Sequence, residues 1–254
     1  VWIGDRLPAA SDMQGLAAEV GDSETVFAVA TGAGYTVRYY SPANEVPFCG
    51  HATIALGVAL GSPGAVVLHT SAGEVRLDVG ATGGRATLTS VDPYVVEPGD
   101  ELVAEAMDLL GWSHRDLDTR LPPRIAFAGA RHLILAAARQ DRLLTLEYDF
   151  EGLRKLMLDN ELITVALVHR TDERRFRARN AFAVGGVVED PATGAAAAAL
   201  GACLRVLRSI DPPVTLTVTQ GVELGRPSEL TIDVPPSGGV SVTGAAVPLT
   251  LPTF

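Results

Sequence analysis

SPANEVPFCGHATIALGVAL, residues 41–60, places a cluster of polar and small residues directly before an apolar run. A second stretch, residues 176–204, has the same order: FRARNAFAVGGVVEDPATGAAAAALGACL. In each stretch a strand with arginine and aromatic residues leads into a short loop that contains a glutamate, and an apolar helix follows. The two stretches share few identical residues, but their common order indicates an internal repeat. The sequence therefore predicts two similar halves, each a sheet wrapped around one helix.

The repeat also predicts where a functional site lies. If the halves face each other, the helices that begin near Ala52 and Gly194 point their N-termini into one cleft. A helix N-terminus presents unpaired backbone N–H groups and about half a positive charge. Two such ends are suited to binding a carboxylate group.

Composition excludes several classes of partner. The 254 residues are 47% hydrophobic, enough for one or two substantial cores. Because the formal net charge is -10 and basic residues do not cluster, nucleic acid and anionic membranes are poor partners. The apolar run at residues 194–204 is shorter than the roughly 20 residues that a bilayer requires. Two cysteines form no disulfide framework, so we expect a reducing cytoplasm.

Local patterns predict alternating strands and helices. Ser11, with Gln14 three residues later, has the pattern of a capping box, and Gly21 stands where the first helix is expected to end. Residues 64–90 alternate apolar and polar side chains between glycine turns, as in an antiparallel meander. The chain opens without methionine in what reads as a strand, and we expect a segment to precede it.

Four separated motifs carry a resemblance to a known family. In chain order they are GDSETVF, SPANEVPFCGHAT, VVEDPATGAA and TQGVELGRPSEL. Their order and spacing resemble those of the PhzF-like proteins of phenazine biosynthesis, whose fold is similar to that of diaminopimelate epimerase. The resemblance covers nearly the whole chain. It implies an α+β fold of two similar lobes, each a mostly antiparallel rolled sheet around a central helix, with the active site between them.

The same resemblance implies the domain organisation. We expect an N-terminal lobe over residues 1–92 and a C-terminal lobe over residues 93–244, with a strand at about 245–254 that returns to the first lobe. Members of the family usually open with a strand and a Gly-Asn-Pro loop, which this chain lacks.

The family activity implied is that of a cofactor-independent isomerase or epimerase that moves a proton on a small carboxylate-bearing metabolite. Glu24 matches the glutamate that accepts and donates the proton, a role that burial favours by raising a carboxyl pKa toward neutrality. His51 matches a histidine that lines the pocket, and Asp190 matches an aspartate of the site. Without the resemblance, Glu24 is interpreted as a first-turn glutamate or a solvated loop residue, His51 as structural and Asp190 as a helix cap. No dinucleotide fingerprint or metal-ligand spacing is present, so we expect neither a cofactor nor a metal.

The residues around Cys49 leave a second mechanism open, in which a thiol is the catalytic group. Its CGH triplet lies where epimerase relatives carry CGN with a catalytic thiol, and a helix N-terminus lowers a thiol pKa. Asp190 takes the place of the second thiol, which argues against a thiol pair. Cys49 and Gly50, with Gly194 and Ala195, are expected to bind the substrate. Ala195 stands where relatives commonly have serine.

Two other functions and some further contacts stay open at this point. One alternative is a cysteine-dependent amino-acid racemase or epimerase; the other is a non-catalytic protein that binds a small carboxylate. Glu45, Arg226 and Ser228 lie in matched motifs and are interpreted equally well as structural residues or as substrate contacts. Because relatives are often dimers, we also expect a homodimer.

Overall fold

The computed structural model describes residues 1–81 and 84–247. These residues form five α-helices: α1 (Ala10–Val20), α2 (Gly50–Leu60), α3 (Asp100–Leu109), α4 (Phe150–Asp159) and α5 (Gly194–Val206). The same residues form sixteen strands: β1 (Trp2–Gly4), β2 (Thr25–Thr31), β3 (Gly34–Tyr40), β4 (Glu45–Val46), β5 (Gly64–Thr70), β6 (Gly73–Val79), β7 (Arg85–Thr89), β8 (Tyr94–Val96), β9 (Arg124–Phe127), β10 (Arg131–Ala136), β11 (Thr164–Arg170), β12 (Arg175–Ala181), β13 (Glu189–Asp190), β14 (Val214–Gln220), β15 (Ser228–Val234) and β16 (Ser241–Ala245). The predicted α+β class is confirmed.

The strands form one continuous sheet that rolls around two helices. Along the sheet the order is β1-β2-β3-β5-β6-β7-β16-β15-β14-β12-β11-β10-β9-β8, with β4 added to β3 and β13 added to β12. The pairing of β7 with β16 joins the two halves. The last described strand therefore connects the second half to the first.

Strand pairing repeats between the two halves. In the first half, β2–β3 is antiparallel, β3–β5 is parallel, and β5–β6 and β6–β7 are antiparallel. In the second half, β11–β12 is antiparallel, β12–β14 is parallel, and β14–β15 and β15–β16 are antiparallel. A parallel pair needs a long crossover connection, usually a helix. Helix α2 supplies it in the first half and α5 in the second, so the predicted internal repeat is confirmed.

The residues of the two central helices allow the sheet to surround them. Helix α5 is rich in alanine, the best helix former, and its residues from Gly194 to Leu204 are all buried. Their small side chains let the sheet approach on every side. Helix α2 is likewise mostly apolar and ends at Gly61, whose φ of 68° is left-handed. Among the described residues, none of the helices combines the length and apolarity needed to cross a bilayer.

The two central helices, α2 and α5, differ in the strands that cover them on one side. Helix α5 is covered by β8 and β9 as well as by β10, β15 and β16, whereas α2 contacts β2, β6, β7 and β16. Within the described residues, the first half has no strands that correspond to β8 and β9. An apolar groove therefore runs along the exposed side of α2, between it, α1 and β1.

Two sequence predictions about boundaries have different outcomes. The capping box is wrong: α1 begins at Ala10 after Ala9, the hydroxyl of Ser11 contacts Asp12, and the amide of Gln14 donates to the carbonyl of Ser41 instead. The expected helix end at Gly21 is confirmed by its φ of 68°. The predicted returning strand at 245–254 lies mostly outside the described residues, which end at 247. The division of the chain at residue 92 stays a prediction.

Candidate active site

The N-termini of α2 and α5 meet at the centre of the molecule. A β-carbon placed on Gly50 would lie 3.1 Å from the backbone nitrogen of Ala195. Only glycine at this first residue of α2 lets the helices approach so closely. Two helix ends that each carry about half a positive charge therefore lie side by side. Negative groups at this junction are favoured electrostatically.

Glu24, His51 and Asp190 converge on this junction from three elements. Glu24 directly precedes β2, His51 is the second residue of α2, and Asp190 ends β13. The Nε2 of His51 lies 3.3 Å from an oxygen of Glu24, and its Nδ1 lies 3.5 Å from an oxygen of Asp190. The imidazole is thus held between two carboxyl groups. The exposed fraction of the side chain is 22% for His51, 6% for Glu24 and 3% for Asp190, so the histidine is the group most open to solvent.

Glu24 is suited to exchange protons near neutral pH. Burial, together with the negative charge of Asp190, raises the pKa of Glu24 from 4.5 to about 7, against the opposing effect of His51. One oxygen of Glu24 is buried and accepts no hydrogen bond from the described residues. Glu24 therefore has both a protonated and an ionised form populated at pH 7, and one of its oxygens accepts no hydrogen bond from the described residues.

His51 and Asp190 carry opposite charges. Burial lowers the pKa of His51, but the acidic groups of Cys49, Asp190 and Glu24 outweigh it and hold that pKa well above its ordinary value. Burial likewise raises the pKa of Asp190, but the charge of His51 and a hydrogen bond from Thr193 bring it below its ordinary value. At neutral pH the site holds an imidazolium beside an ionised aspartate, and one negative charge balances the positive one.

Thr193 and Gln220 hold the loop that carries Asp190. The hydroxyl of Thr193 donates to Asp190 at 2.6 Å, and the side chain of Gln220 donates to the backbone carbonyl of Asp190 at 2.6 Å. The amide oxygen of Gln220 also accepts the backbone N–H of Thr193 at 3.0 Å. Sequence reasoning did not single out these two residues, nor Ser23, whose hydroxyl lies 3.3 Å from Nε2 of His51. All three belong to the quoted motifs, which was the available signal.

An arginine–glutamate pair supports the same loop in each half. Arg38 donates to both oxygens of Glu45, at 2.7 and 2.5 Å, and Arg179 pairs with Glu189 in the same two-pronged way. Glu45 and Glu189 open β4 and β13, the short strands that precede the central helices. The pairing with Arg38 gives Glu45 a structural role, and a substrate contact of Glu45 stays a prediction.

Cys49 contacts the imidazole but is poorly suited to be a base. Its sulfur lies 3.4 Å from Nδ1 and 3.7 Å from Nε2 of His51. Burial, together with the charge of Glu24, raises the pKa of the Cys49 thiol to about 12. The lowered pKa that its place before a helix suggested is thus wrong, because burial and the charge of Glu24 raise the pKa of this thiol.

The internal repeat gives Cys49 a different counterpart from the one expected. Counting back from the helix starts at Gly50 and Gly194, Cys49 corresponds to Thr193, and Val46 corresponds to Asp190. The only other cysteine, Cys203, is buried within α5. Neither the counterpart nor Cys203 supplies a second thiol at this site.

Gly194 and Ala195 lie at the start of α5, where both are buried against Gly50. Their expected role in binding a carboxylate through backbone N–H groups stays a prediction, as do the substrate contacts of Cys49 and Gly50. Glu24, Cys49 and His51 also place their potential metal-ligand atoms within 4.8 Å of one another.

The groove along α2 begins at this cluster. It encloses about 650 Å³ and is lined at one end by Ser23, Glu24 and His51. Arg226 also lines it and pairs with Asp22 at 2.7 Å, which links the two halves across the groove. Because the guanidinium is more than half exposed, it is accessible to a carboxylate. Within residues 1–81 and 84–247, the hydroxyl of Ser228 donates to the backbone carbonyl of Arg226, at 3.4 Å.

Comparison with known proteins adds to this geometry. Residues 8–250 match the family described as Phenazine biosynthesis-like protein, PhzC-PhzF. An uncharacterized isomerase of Deinococcus radiodurans is 34% identical, over 92% of this chain and 82% of that protein. A trans-2,3-dihydro-3-hydroxyanthranilate isomerase of Pseudomonas fluorescens is 32% identical, over 88% of this chain and 79% of that protein.

Solved structures share the fold. The structure of a predicted epimerase from Pseudomonas aeruginosa has a TM-score of 0.82 at 24% identity, with 98% of this chain and 93% of that chain covered. The fold is the diaminopimelate epimerase-like one expected from the sequence, with two similar lobes, each a rolled sheet around a central helix.

Proposed function

Because this chain belongs to the phenazine biosynthesis-like PhzC-PhzF family, whose relatives named above are isomerases, it is an isomerase, and we propose that it moves a proton between carbon atoms of a small carboxylate-bearing metabolite without a cofactor. One observation carries the proposal. Glu24, His51 and Asp190 meet where two helix N-termini adjoin, so a proton-transfer group and a positive electrostatic field share one place.

Glu24 is the proton-transfer group in this proposal. In its ionised form it removes a proton from a substrate carbon, and the electron pair of that C–H bond delocalises into the conjugated carboxylate system. Protonated Glu24 then delivers a proton to another carbon, and exchange of the carboxyl proton with water before delivery lets solvent hydrogen enter at that carbon. A carboxyl pKa near 7 supports both steps, because neither form of the group is strongly favoured over the other.

His51 and Asp190 assist the proton transfer by Glu24 from fixed positions. The imidazolium of His51 faces Glu24 and stabilises negative charge that develops on the substrate during proton removal. Asp190 keeps His51 protonated and fixes the orientation of its ring. Thr193 and Gln220 in turn fix Asp190, so they are positioning residues.

The substrate carboxylate is proposed to bind where α2 and α5 meet. Two adjacent positive helix ends repel each other when no anion is present, and an anion at the junction relieves that repulsion. The guanidinium of Arg226 at the edge of the groove is a second cation for the same group. With Ala195 in place of the serine common in relatives, this contact depends on backbone N–H groups rather than on a hydroxyl.

Substrate identity is the finer part of the proposal. The hydroxyanthranilate-type relative suggests a cyclic, conjugated carboxylic acid as the first compound to test. A cysteine-dependent racemase is not favoured, because the Cys49 thiol has a pKa of about 12 and Thr193 stands at its counterpart. A homodimer and a cytoplasmic location stay predictions.

Solvent hydrogen exchange tests the proposal. The purified protein is incubated in heavy water with trans-2,3-dihydro-3-hydroxyanthranilate and with a panel of other small unsaturated carboxylates, and each compound is followed by NMR. An isomerase converts at least one of them, with deuterium at the carbon that receives the proton. A protein that binds a carboxylate without converting or exchanging it would be the non-catalytic binder.

A further inference from the structure

We propose that Glu24, Cys49 and His51 form a zinc-binding site, and that a bound zinc ion switches the enzyme off. Zinc prefers thiolate, imidazole and carboxylate ligands, and these three side chains supply one of each. The sequence did not indicate this site, because Glu24 is distant along the chain from Cys49 and His51. The fold brings all three potential ligand atoms within 4.8 Å of one another.

The spacing of the ligand atoms fits a tetrahedral ion. Zinc lies about 2.0 to 2.3 Å from nitrogen, oxygen and sulfur ligands, which places tetrahedral ligand pairs about 3.3 to 3.6 Å apart. In this structure, Nε2 of His51 lies 3.3 Å from the oxygen of Glu24 and 3.7 Å from the sulfur of Cys49. The sulfur is nearly as close to Nδ1, at 3.4 Å, so coordination needs a rotation of the imidazole that turns Nε2 toward it.

A second, independent observation points to a ligand at this place. The same oxygen of Glu24 is buried and accepts no hydrogen bond from the described residues. Nε2 of His51 is near this oxygen without forming a hydrogen bond to it, and a buried carboxylate oxygen without a hydrogen bond is unfavourable, so a metal ion would satisfy it. Glu24 and His51 line the groove, so solvent has access to them from this side and a water molecule would be the fourth ligand.

The surroundings also supply the usual support for a zinc-bound histidine. Metal-bound histidines commonly donate their second ring N–H to a carboxylate. Nδ1 of His51 lies 3.5 Å from an oxygen of Asp190 that is likewise buried and accepts no hydrogen bond from the part of the chain that the structure describes. With Nε2 on the metal, Nδ1–H would donate to this oxygen, and both unpaired carboxylate oxygens would gain a partner.

The proposed zinc site requires Cys49. Glu24 and His51 alone supply two ligands, which is fewer than the three protein ligands of catalytic zinc sites. Inhibition follows from ligand identity, because zinc would occupy the proton-transfer group and the imidazole together. Inhibition rests on the proposed function, whereas metal binding does not.

Cobalt spectroscopy tests binding without a substrate. Metal-free wild-type protein is titrated with Co²⁺, and we expect a sulfur-to-cobalt charge-transfer band that saturates at one ion per chain and disappears when Zn²⁺ is added. Cys49→Ala and the near-isosteric Cys49→Ser should lack the band and bind Zn²⁺ at least about a hundredfold more weakly. Circular dichroism identifies any variant that fails to fold.

Cys203→Ala is the matched control, since Cys203 is the other cysteine and is buried in α5 away from His51. It should keep the band at full amplitude. A wild-type protein that binds no Co²⁺, or folded Cys49 variants that bind Zn²⁺ as tightly as wild type, would overturn the metal site.

A separate arm tests inhibition in the hydrogen-exchange assay. Zn²⁺ should stop exchange by the wild type, and a chelator should restore it. For folded Cys49→Ser, the half-inhibiting Zn²⁺ concentration should rise at least tenfold relative to the wild type. Undiminished exchange at saturating Zn²⁺ would overturn the switch. A protein that shows the cobalt band but exchanges no carboxylate would retain the metal site and contradict the proposed function.

Discussion

The backbones of Gly50 and Gly194 are in direct contact: a β-carbon on Gly50 would lie 3.0 Å from the Cα of Gly194. Each glycine is the first residue of a central helix, one in each half of the molecule. The position of the two helix N-termini, and hence of His51, depends on this contact.

Replacing Gly50 by alanine should therefore impair activity. The added methyl group meets backbone atoms, which cannot move aside as a flexible side chain can, so the helix starts must separate. We expect turnover to fall at least tenfold, because small displacements of catalytic groups have large effects on rate. The control is Gly15→Ala in α1, where the new methyl group meets no atom within 4 Å and activity should be unchanged. Full activity of Gly50→Ala would contradict the role given to this contact.

The pH profile of the reaction should reflect the charges of the site. Glu24 must be ionised to remove a proton, so kcat/KM should rise with pH through about 7 and then level off. At high pH it should fall again, when His51 loses the proton that its acidic neighbours retain. The midpoints belong to the interacting groups together. A rate that is constant from pH 5 to about 9 would contradict this assignment.

Stability measurements should give opposite signs for the two carboxyl groups. The folded-state pKa of Glu24 is raised from 4.5 to about 7, so stability from this group is complete below pH 4.5 and is lost as pH rises toward 7. Ionised Glu24 thus costs on the order of 3 kcal/mol at pH 8. Glu24→Gln should raise the melting temperature at pH 8 and have little effect near pH 4.5.

Asp190→Asn should do the reverse. The pKa of Asp190 is lowered in the folded state, so its stabilising effect is present above the unfolded value of 3.8 and is lost as pH falls through the folded value. Removing the charge should therefore lower the melting temperature at pH 7. A stabilised Asp190→Asn protein would show that its charge is not compensated by His51.

Sequence patterns predicted the fold better than they predicted the contacts at the site. Alternating strands, the alanine-rich run and the repeated loop-helix order are local signals, and they led to both central helices and to their facing N-termini. The capping box failed for a tertiary reason, since Gln14 donates to the carbonyl of Ser41 instead of returning to its own helix.

Contacts between distant residues were beyond the sequence. Gln220, in β14, donates to the backbone carbonyl of Asp190, which follows the parallel partner strand β12. The sequence around a glutamine within a strand does not indicate such a contact. The pKa of Cys49 was misjudged because its place before a helix is visible in the sequence while its burial is not. The metal-ligand geometry likewise appears only once the halves are folded together.

Cys49 should contribute little to the isomerisation itself. With a thiol pKa of about 12, it is protonated at neutral pH and is a poor base. In the presence of a chelator, turnover of Cys49→Ala should stay within about tenfold of the wild type, measured on the substrate that the carboxylate panel identifies. A loss of several orders of magnitude would assign the proton transfer to the thiol.

Glu24→Gln tests the assignment of the proton-transfer group most directly. The substitution keeps the size of the side chain and removes its ability to accept a proton, while the backbone N–H groups proposed to bind the substrate carboxylate are unchanged. Turnover, solvent deuterium incorporation and ligand affinity are measured on the same sample. Both rates should fall by about 10² to 10⁴ or more, whereas the affinity should stay within about tenfold of the wild type. Full turnover with full deuterium incorporation in Glu24→Gln would contradict Glu24 as the proton-transfer group.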